Sequence, residues 1–182
     1  MKKFLATVVA TVAALAPTGA LAGNNNIDEH QHLWDTVQRI GVNTLVNNPH
    51  YCERGVAGMY SPQGGLLVVC QEDAKYNNGK MVEWTNEDLD TLRHEAHHIV
   101  QDCVNRRLGD GHLSPLFGQE KEYEDFVLSI LSKSQIEWII KQYHSNGADK
   151  EVLLLEVEAF AVAAGVGPLP IADALVNHCG VK

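Results

Sequence analysis

The sequence predicts an α+β protein, in which a small β-hairpin or sheet packs on one long helix and further helices. Apolar residues recur at helical spacing in several separate stretches, and two short apolar runs flank a loop that contains Pro and Gly. The chain has 182 residues, 45% of them hydrophobic, and no internal repeat. This length and composition suit one domain built around one core.

The first 22 residues have the layout of a secretory signal peptide. Two lysines precede an uncharged run over residues 4–16, and small residues at positions 20 and 22 follow. Cleavage is expected before Gly23, so residues 23–182 would form the mature domain, secreted or periplasmic. The run is short for a bilayer span, and two glutamates interrupt the best later candidate, residues 152–164. We therefore expect no membrane anchor.

Charge and cysteine content narrow the partners and the compartment. The formal net charge is −9, so polyanions such as nucleic acid and anionic membranes are not expected as partners. Four cysteines without CXXC spacing in an exported chain favour two disulfides over a metal site. Of the three possible pairings we favour Cys52 with Cys70 and Cys103 with Cys179. The oligomeric state stays open.

The first elements of the mature chain are a helix and a hairpin. Apolar residues at helical spacing over residues 33–40 predict a helix that ends near Gly41. Residues 56–60 and 66–70 are short apolar runs around the five-residue loop 61–65, which predicts a hairpin. One of the favoured disulfides would staple this hairpin.

A long helix is predicted next. Thr85 or Asn86 can cap its N-terminus, acidic residues follow in the first turn, and Gly109 can end it. One stripe of its helical projection is apolar and consists of Leu89, Leu92, Ala96, Ile99 and Cys103. We expect this stripe to face the hairpin, while the histidines of the helix face a cleft.

This helix carries the clearest chemical motif of the chain. Residues 94–98 read His-Glu-Ala-His-His, an HEXXH pattern. At about 3.6 residues per turn, His94 and His98 lie one turn apart on one face, so both imidazoles can bind a single zinc ion. Glu95 stands beside them and can take a proton from the bound water. His97 points about 100° away from His98 and is expected in solvent.

A third zinc ligand is expected downstream, because two side chains alone seldom hold zinc. Asp149 is a suitable N-cap for a helix that runs to Ala164 and is apolar on nearly every side apart from Glu156 and Glu158. Buried carboxylates are costly unless they are paired or bound to a metal. At least one of the two glutamates therefore needs a partner, and zinc would be a sufficient one.

These features resemble the small members of the gluzincin metallopeptidases, in which a short sheet, an HEXXH helix and a glutamate-bearing helix follow one another. The resemblance spans residues 56–164 in order of elements, and the motif and the Glu156-Val157-Glu158-Ala159 segment carry it. It implies a minimal zincin-like fold. It also implies Glu156 as ligand by an EXXA pattern, or Glu158 as the glutamate before an alanine. The two lie about 200° apart on a helix, and we choose Glu156 with Glu158 as the alternate.

Motif and resemblance together predict a secreted zinc metallopeptidase that acts on a peptide or protein substrate. Zinc held by His94, His98 and Glu156 would keep a position open for water, with Glu95 as general base. The side chains available to stabilise the oxyanion are Tyr143, His144, His112 and His178, and the sequence does not choose among them. The alternative is an exported, disulfide-stapled binding module, with zinc or without metal, that has no catalytic activity.

Other conspicuous residues are given structural roles. His30 and His32 lie in a polar stretch, where ordinary solvation is expected. The three tryptophans are expected in the core or at its rim. Residues 120–125 are rich in charge and are expected to form a solvated helix face.

Overall fold

A computed structural model of the protein describes residues 8–10, 26–52, 55–72, 74, 80–104 and 108–180, and these residues form an α+β fold. The helices are α1 (Ile27–Arg39), α2 (Asn86–Cys103), α3 (Glu120–Ile130), α4 (Lys133–Ser145), α5 (Lys150–Gly165) and α6 (Pro168–Leu175), followed by a π-helical turn, Val176–Gly180. The strands are β1 (Val8–Ala10), β2 (Asn43–Val46), β3 (Gly58–Ser61) and β4 (Leu66–Val69). The predicted class is confirmed. Apart from β1, the predicted signal peptide lies outside the described residues.

The four strands form one sheet in the order β1-β3-β4-β2. β3 and β4 are the predicted antiparallel hairpin, and their loop has four residues instead of five because Ser61 pairs with Leu66. β2 pairs in parallel with β4 and was not predicted. β1 pairs in antiparallel register with β3 over three residues. Buried side chains of β3 and β4, among them Tyr60 and Leu67, belong to the main core.

Helix α2 is enclosed by the rest of the fold. It packs on β3 and β4 and also against α1, α5 and α6, and every residue from 91 to 103 is buried. Thr85 caps it in a capping box with Asp88, as the sequence allows. The expected end at Gly109 is wrong. The helix ends at Cys103, and Gly109 lies in the following loop with a φ of 84°, where its N–H donates to Asp102 at 2.7 Å.

A buried arginine joins three helices. Arg93 Nε donates to the Ala163 carbonyl at 2.9 Å, Nη1 donates to His30 Nε2 at 2.6 Å, and the guanidinium pairs with Asp90. His30 Nδ1 in turn donates to the Asn26 carbonyl at 2.8 Å. Burial lowers the pKa of His30, and the Arg93 charge adds to this effect. The expectation that His30 is solvated is therefore wrong, because this face of α1 packs on α2.

A smaller second core joins α3, α4 and α5, with Val127, Ile139 and Val157 among its members. Asp149 caps α5 as predicted, and its side chain accepts from the Val152 N–H at 3.0 Å. The charged residues of α3 are exposed, which confirms the solvated face. This core holds α4 and α5 together beside α2.

Both favoured disulfides are present. Cys52 bonds to Cys70 at the end of the hairpin, and Cys103 bonds to Cys179 across a separation of 76 residues. The second bridge ties the last residue of the motif helix to the C-terminal turn.

Within the part of the chain that the structure describes, no helix combines the length and the apolar character that crossing a membrane requires.

Candidate metal centre

The two motif histidines of α2 meet one glutamate of α5. His94 Nε2 and His98 Nε2 lie 3.1 Å apart. The carboxylate of Glu156 lies 3.3 Å from the first and 3.6 Å from the second of these nitrogens. Two ligands bound at ~2.1 Å to a tetrahedral zinc are separated by about 3.4 Å. The three side chains can therefore hold one metal ion. We call them the metal triangle.

Helix geometry and helix packing explain why these atoms converge. His94 and His98 are four residues apart, so their rings stack along one face of α2 with centroids 4.8 Å apart. Glu156 lies near the middle of α5, which packs along the same face of α2. Phe160 follows one turn later, and its ring centroid lies 4.6 Å from that of His94. One helix thus supplies two donors, and its neighbour supplies the third donor and an apolar wall.

The site is closed to solvent and contains polar atoms without hydrogen bonds. His94, Glu95, His98 and Glu156 expose 3%, 0%, 1% and 0% of their surface. Within the described part of the chain, His94 Nδ1 and all four carboxylate oxygens of Glu95 and Glu156 lack a hydrogen-bond partner. Buried polar atoms without partners are costly and need an explanation. A bound cation at the triangle would satisfy the oxygens of Glu156.

Electrostatics at the metal-free site favour a positive charge at the triangle. Burial alone would favour the neutral forms of both His98 and Glu156. The attraction between their opposite charges outweighs this effect of burial. The pKa of His98 is raised to about 9, and that of Glu156 is held well below its usual range. Burial lowers the pKa of His94, which leaves this ring neutral. The charge of Glu156 therefore stabilises a positive charge beside the two imidazoles.

Glu95 lies beside the triangle and is positioned by β3. A Cβ on Gly58 would lie 3.0 Å from Glu95 Cγ and 2.6 Å from Thr91 Cγ2, so the strand backbone runs directly against α2. Burial raises the pKa of Glu95 from its ordinary 4.5 to about 8. Such a group is mostly protonated at neutral pH, and a cation bound beside it would lower its pKa and favour the carboxylate that can accept a proton.

Glu158, the alternate ligand, faces a different set of partners. It accepts from His97 Nε2 at 2.7 Å, from Gln101 Nε2 at 3.0 Å and from the Leu116 N–H at 3.1 Å. Burial would raise its pKa, but the bonds from His97 and Gln101 outweigh this and lower it. The geometry therefore favours Glu156 as the ligand. The expectation that His97 is in solvent is wrong: it is 2% exposed, because α5 covers that face of α2.

Tyr143 of α4 is the one of the four oxyanion candidates that lies at the site. Its hydroxyl is buried and has no hydrogen-bond partner among the described residues. Its ring packs against Phe160 of α5, with centroids 6.1 Å apart. Burial raises its pKa, and the charge of Glu156, its closeness as a hydrogen-bond acceptor and the charge of Glu95 raise it further. The other three candidates lie elsewhere: His112 and His144 are exposed, and His178 is half-buried in the C-terminal turn.

Sequence reasoning missed Gln101 as a member of this region. Its Oε1 lies 2.7 Å from His98 Nδ1. The signal was present in the spacing, because His94, His97, His98 and Gln101 stand at i, i+3, i+4 and i+7 and form one polar stripe on α2. This stripe is the surface that α5 covers.

The family of the chain is shown by a match to one family model. No curated protein and no solved structure matches the chain. One family model matches residues 7–162, a span that contains the HEXXH motif, Tyr143, Glu156 and Glu158. Because this match covers most of the sequence, the chain belongs to the family described as a domain of unknown function, DUF8637.

Proposed function

We propose that the protein is an exported, gluzincin-like zinc metallopeptidase with a minimal zincin-like fold. The proposal is carried by the metal triangle and by Glu95 beside it, a buried carboxylate that has no hydrogen-bond partner among the described residues. Two imidazoles and one carboxylate are a donor set typical of catalytic zinc, which keeps a fourth position open. The substrate would be a peptide or protein.

Each side chain has a separate task in this proposal. Bound zinc would act as a Lewis acid: it would lower the pKa of a bound water and polarise the scissile carbonyl. Glu95 accepts a proton from the attacking water at its carboxylate and returns it to the leaving amine. The Tyr143 hydroxyl, which has no hydrogen-bond partner among the described residues, donates to the oxygen that gains charge during the attack. Phe160 keeps the His94 side of the site apolar.

Export is supported by the two disulfides, which form and persist in oxidising compartments. We place the protein outside the cell or in the periplasm, with cleavage before Gly23. Strand β1 lies inside the segment that cleavage would remove. Among the described strands β1 pairs with β3 alone, so the exported chain would keep the β3-β4-β2 part of the sheet.

One observation favours a second candidate, a zinc-binding module without peptidase activity. The site residues expose at most 3% of their surface, so a peptide bond reaches them only if a covering segment moves. In a binding module the same ion would act as a clamp between α2 and α5 and would contribute to folding. Activity therefore has to be separated from metal binding.

The test compares the wild type with Glu95→Gln. Glu95 is outside the metal triangle, so the variant should keep close to one equivalent of zinc by metal analysis. Loss of the general base should lower the rate of cleavage of a quenched peptide library by about 10² to 10⁴. His98→Ala is the matched variant that should lose the metal itself.

The outcomes distinguish the two candidates. A chelator should abolish cleavage by the wild type, and added zinc should restore it. Equal cleavage by wild type and Glu95→Gln, or bound zinc without any cleavage, would leave only the binding module. A wild type that stays metal-free after dialysis against zinc would refute both candidates.

A further inference from the structure

A second buried polar cluster lies on the Nδ1 side of His98. Gln101 Oε1 is 2.7 Å from His98 Nδ1, and Gln101 Nε2 is 3.0 Å from both the Leu155 carbonyl and Glu158 Oε1. Gln101 and Glu158 are both 0% exposed. Neither belongs to the metal triangle, and the proposed reaction uses neither.

The acceptors around Gln101 determine the orientation of its amide. The Leu155 carbonyl and the Glu158 carboxylate only accept hydrogen bonds, so the side of the amide that faces them must be the NH₂ group. The amide oxygen then faces His98 Nδ1, which must carry a proton and donate it. An imidazole with its proton on Nδ1 can offer the lone pair of Nε2, the atom that faces Glu156.

Glu158 is itself held firmly. Besides Gln101 it accepts from His97 Nε2 at 2.7 Å, and both of its oxygens lie 3.1 Å from the Leu116 N–H. These donors come from α2 and from the segment before α3, so the carboxylate has little freedom to turn. A fixed acceptor of this kind holds the amide of Gln101 in one orientation.

We propose that Glu158 and Gln101 form a relay that positions His98 for the metal. Glu158 orients Gln101, and Gln101 holds the ring and the tautomer of His98, so both are positioning residues that set metal affinity without touching the ion. Partners of this kind typically change metal affinity by about 10- to 100-fold. His94 Nδ1 has no such partner in the described chain, so His98 is the better held imidazole. The inference rests on the proposed metal centre.

The first experiment measures zinc affinity by competition with a chromophoric chelator. Gln101→Met keeps the length of the side chain and removes its three hydrogen bonds, so zinc should bind about 10- to 100-fold more weakly. Glu158→Gln should cause a smaller loss in the same direction, since an amide can still accept from Gln101. The control is Gln142→Met on the exposed face of α4, which should leave the affinity unchanged.

The second experiment needs no variant and decides the question even if Gln101→Met does not fold. Nitrogen-15 NMR of the histidine rings in zinc-loaded wild type should find that the Nδ1 proton of His98 exchanges with water more slowly than that of His94, which has no partner in the described chain. If the wild type binds zinc and Gln101→Met binds it equally well, the relay is refuted and the metal centre stands. Equally fast exchange of the Nδ1 protons of His98 and His94 in the zinc-loaded wild type also refutes the relay. A wild type that binds no zinc refutes the metal centre and the relay together.

Discussion

The role of Tyr143 as an oxyanion donor is inferred from its buried hydroxyl, which lacks a hydrogen-bond partner among the described residues. A buried hydroxyl normally has a hydrogen-bond partner, because leaving it unpaired costs about 1–3 kcal/mol. The Tyr143 hydroxyl has none in the described chain and lies near Glu95 and Glu156. Such a group is an available donor beside two carboxylates and the ring of Phe160.

Tyr143→Phe should therefore separate activity from stability. Removing one donor to a developing oxyanion typically lowers kcat by about 10² to 10³. The free energy of unfolding of the metal-free protein should change less than in the control below, because the hydroxyl makes no hydrogen bond of normal geometry within the described part of the chain. Cleavage kinetics and urea unfolding measure the two effects.

Tyr123 of α3 offers the matched control. Its hydroxyl donates to the Leu154 carbonyl at 2.9 Å, so Tyr123→Phe should lower the free energy of unfolding by about 1 kcal/mol and leave kcat unchanged. The role given to Tyr143 would be wrong if Tyr143→Phe lost stability and kept full activity.

At the scale of elements, the position of the motif helix depends on its close approach to β3. Gly58 lacks a side chain where Thr91 and Glu95 of α2 press against the strand. The approach is possible only without a Cβ, since the nearest atoms would lie at 2.6 Å and 3.0 Å. The hairpin therefore sets the height of Glu95 above the sheet.

Gly58→Ala should push α2 away from the sheet and move Glu95. Overpacking of this kind typically costs about 1–3 kcal/mol of stability. We expect a lower urea midpoint and reduced cleavage, with zinc still bound, because the triangle lies between α2 and α5. Gly64→Ala in the loop of the same hairpin is the control: its nearest neighbour would be at 3.6 Å, so stability and activity should stay unchanged. A fully active and stable Gly58→Ala would contradict this account.

At the scale of the whole molecule, the two disulfides constrain very different lengths of chain. Cys103–Cys179 closes a loop of 76 residues that contains Tyr143 and Glu156, whereas Cys52–Cys70 spans 18 residues. In the chain-entropy description, the unfolded chain loses more freedom when the closed loop is longer.

Replacing each cysteine pair by alanine should show which disulfide contributes more to the free energy of unfolding. The expected losses are about 4–5 kcal/mol for the Cys103–Cys179 pair and about 3 kcal/mol for the Cys52–Cys70 pair. Urea unfolding of both variants under oxidising conditions measures the difference. The opposite ranking would mean that native packing, and not loop closure, dominates the contribution of these bridges.

Patterns of residues close together in the sequence were sufficient to predict a large part of the structure. The HEXXH helix with its Thr85 cap, the hairpin, the Asp149 cap and the convergence of His94 with His98 all follow from residues a few positions apart. Such features depend on helix and strand periods and on capping, which the chain specifies within one or two turns. The disulfide pairs were also predicted, although one spans 76 residues. β2 was missed because four residues, half-exposed and paired in parallel, carry little pattern of their own.

Only tertiary packing decided the rest of the site. The sequence left Glu156 and Glu158 as alternatives, since the rotation of α5 about its axis is determined by its contacts with α2, α3 and α4. The sequence-based prediction placed His97 and His30 in solvent, because it assumed that each helix has one solvated face. Helix α2 has none over residues 91–103, so its polar stripe is buried against α5. The roles of Gln101, Glu158 and Tyr143 arise from this burial, because a polar group removed from water must find its partner on another element.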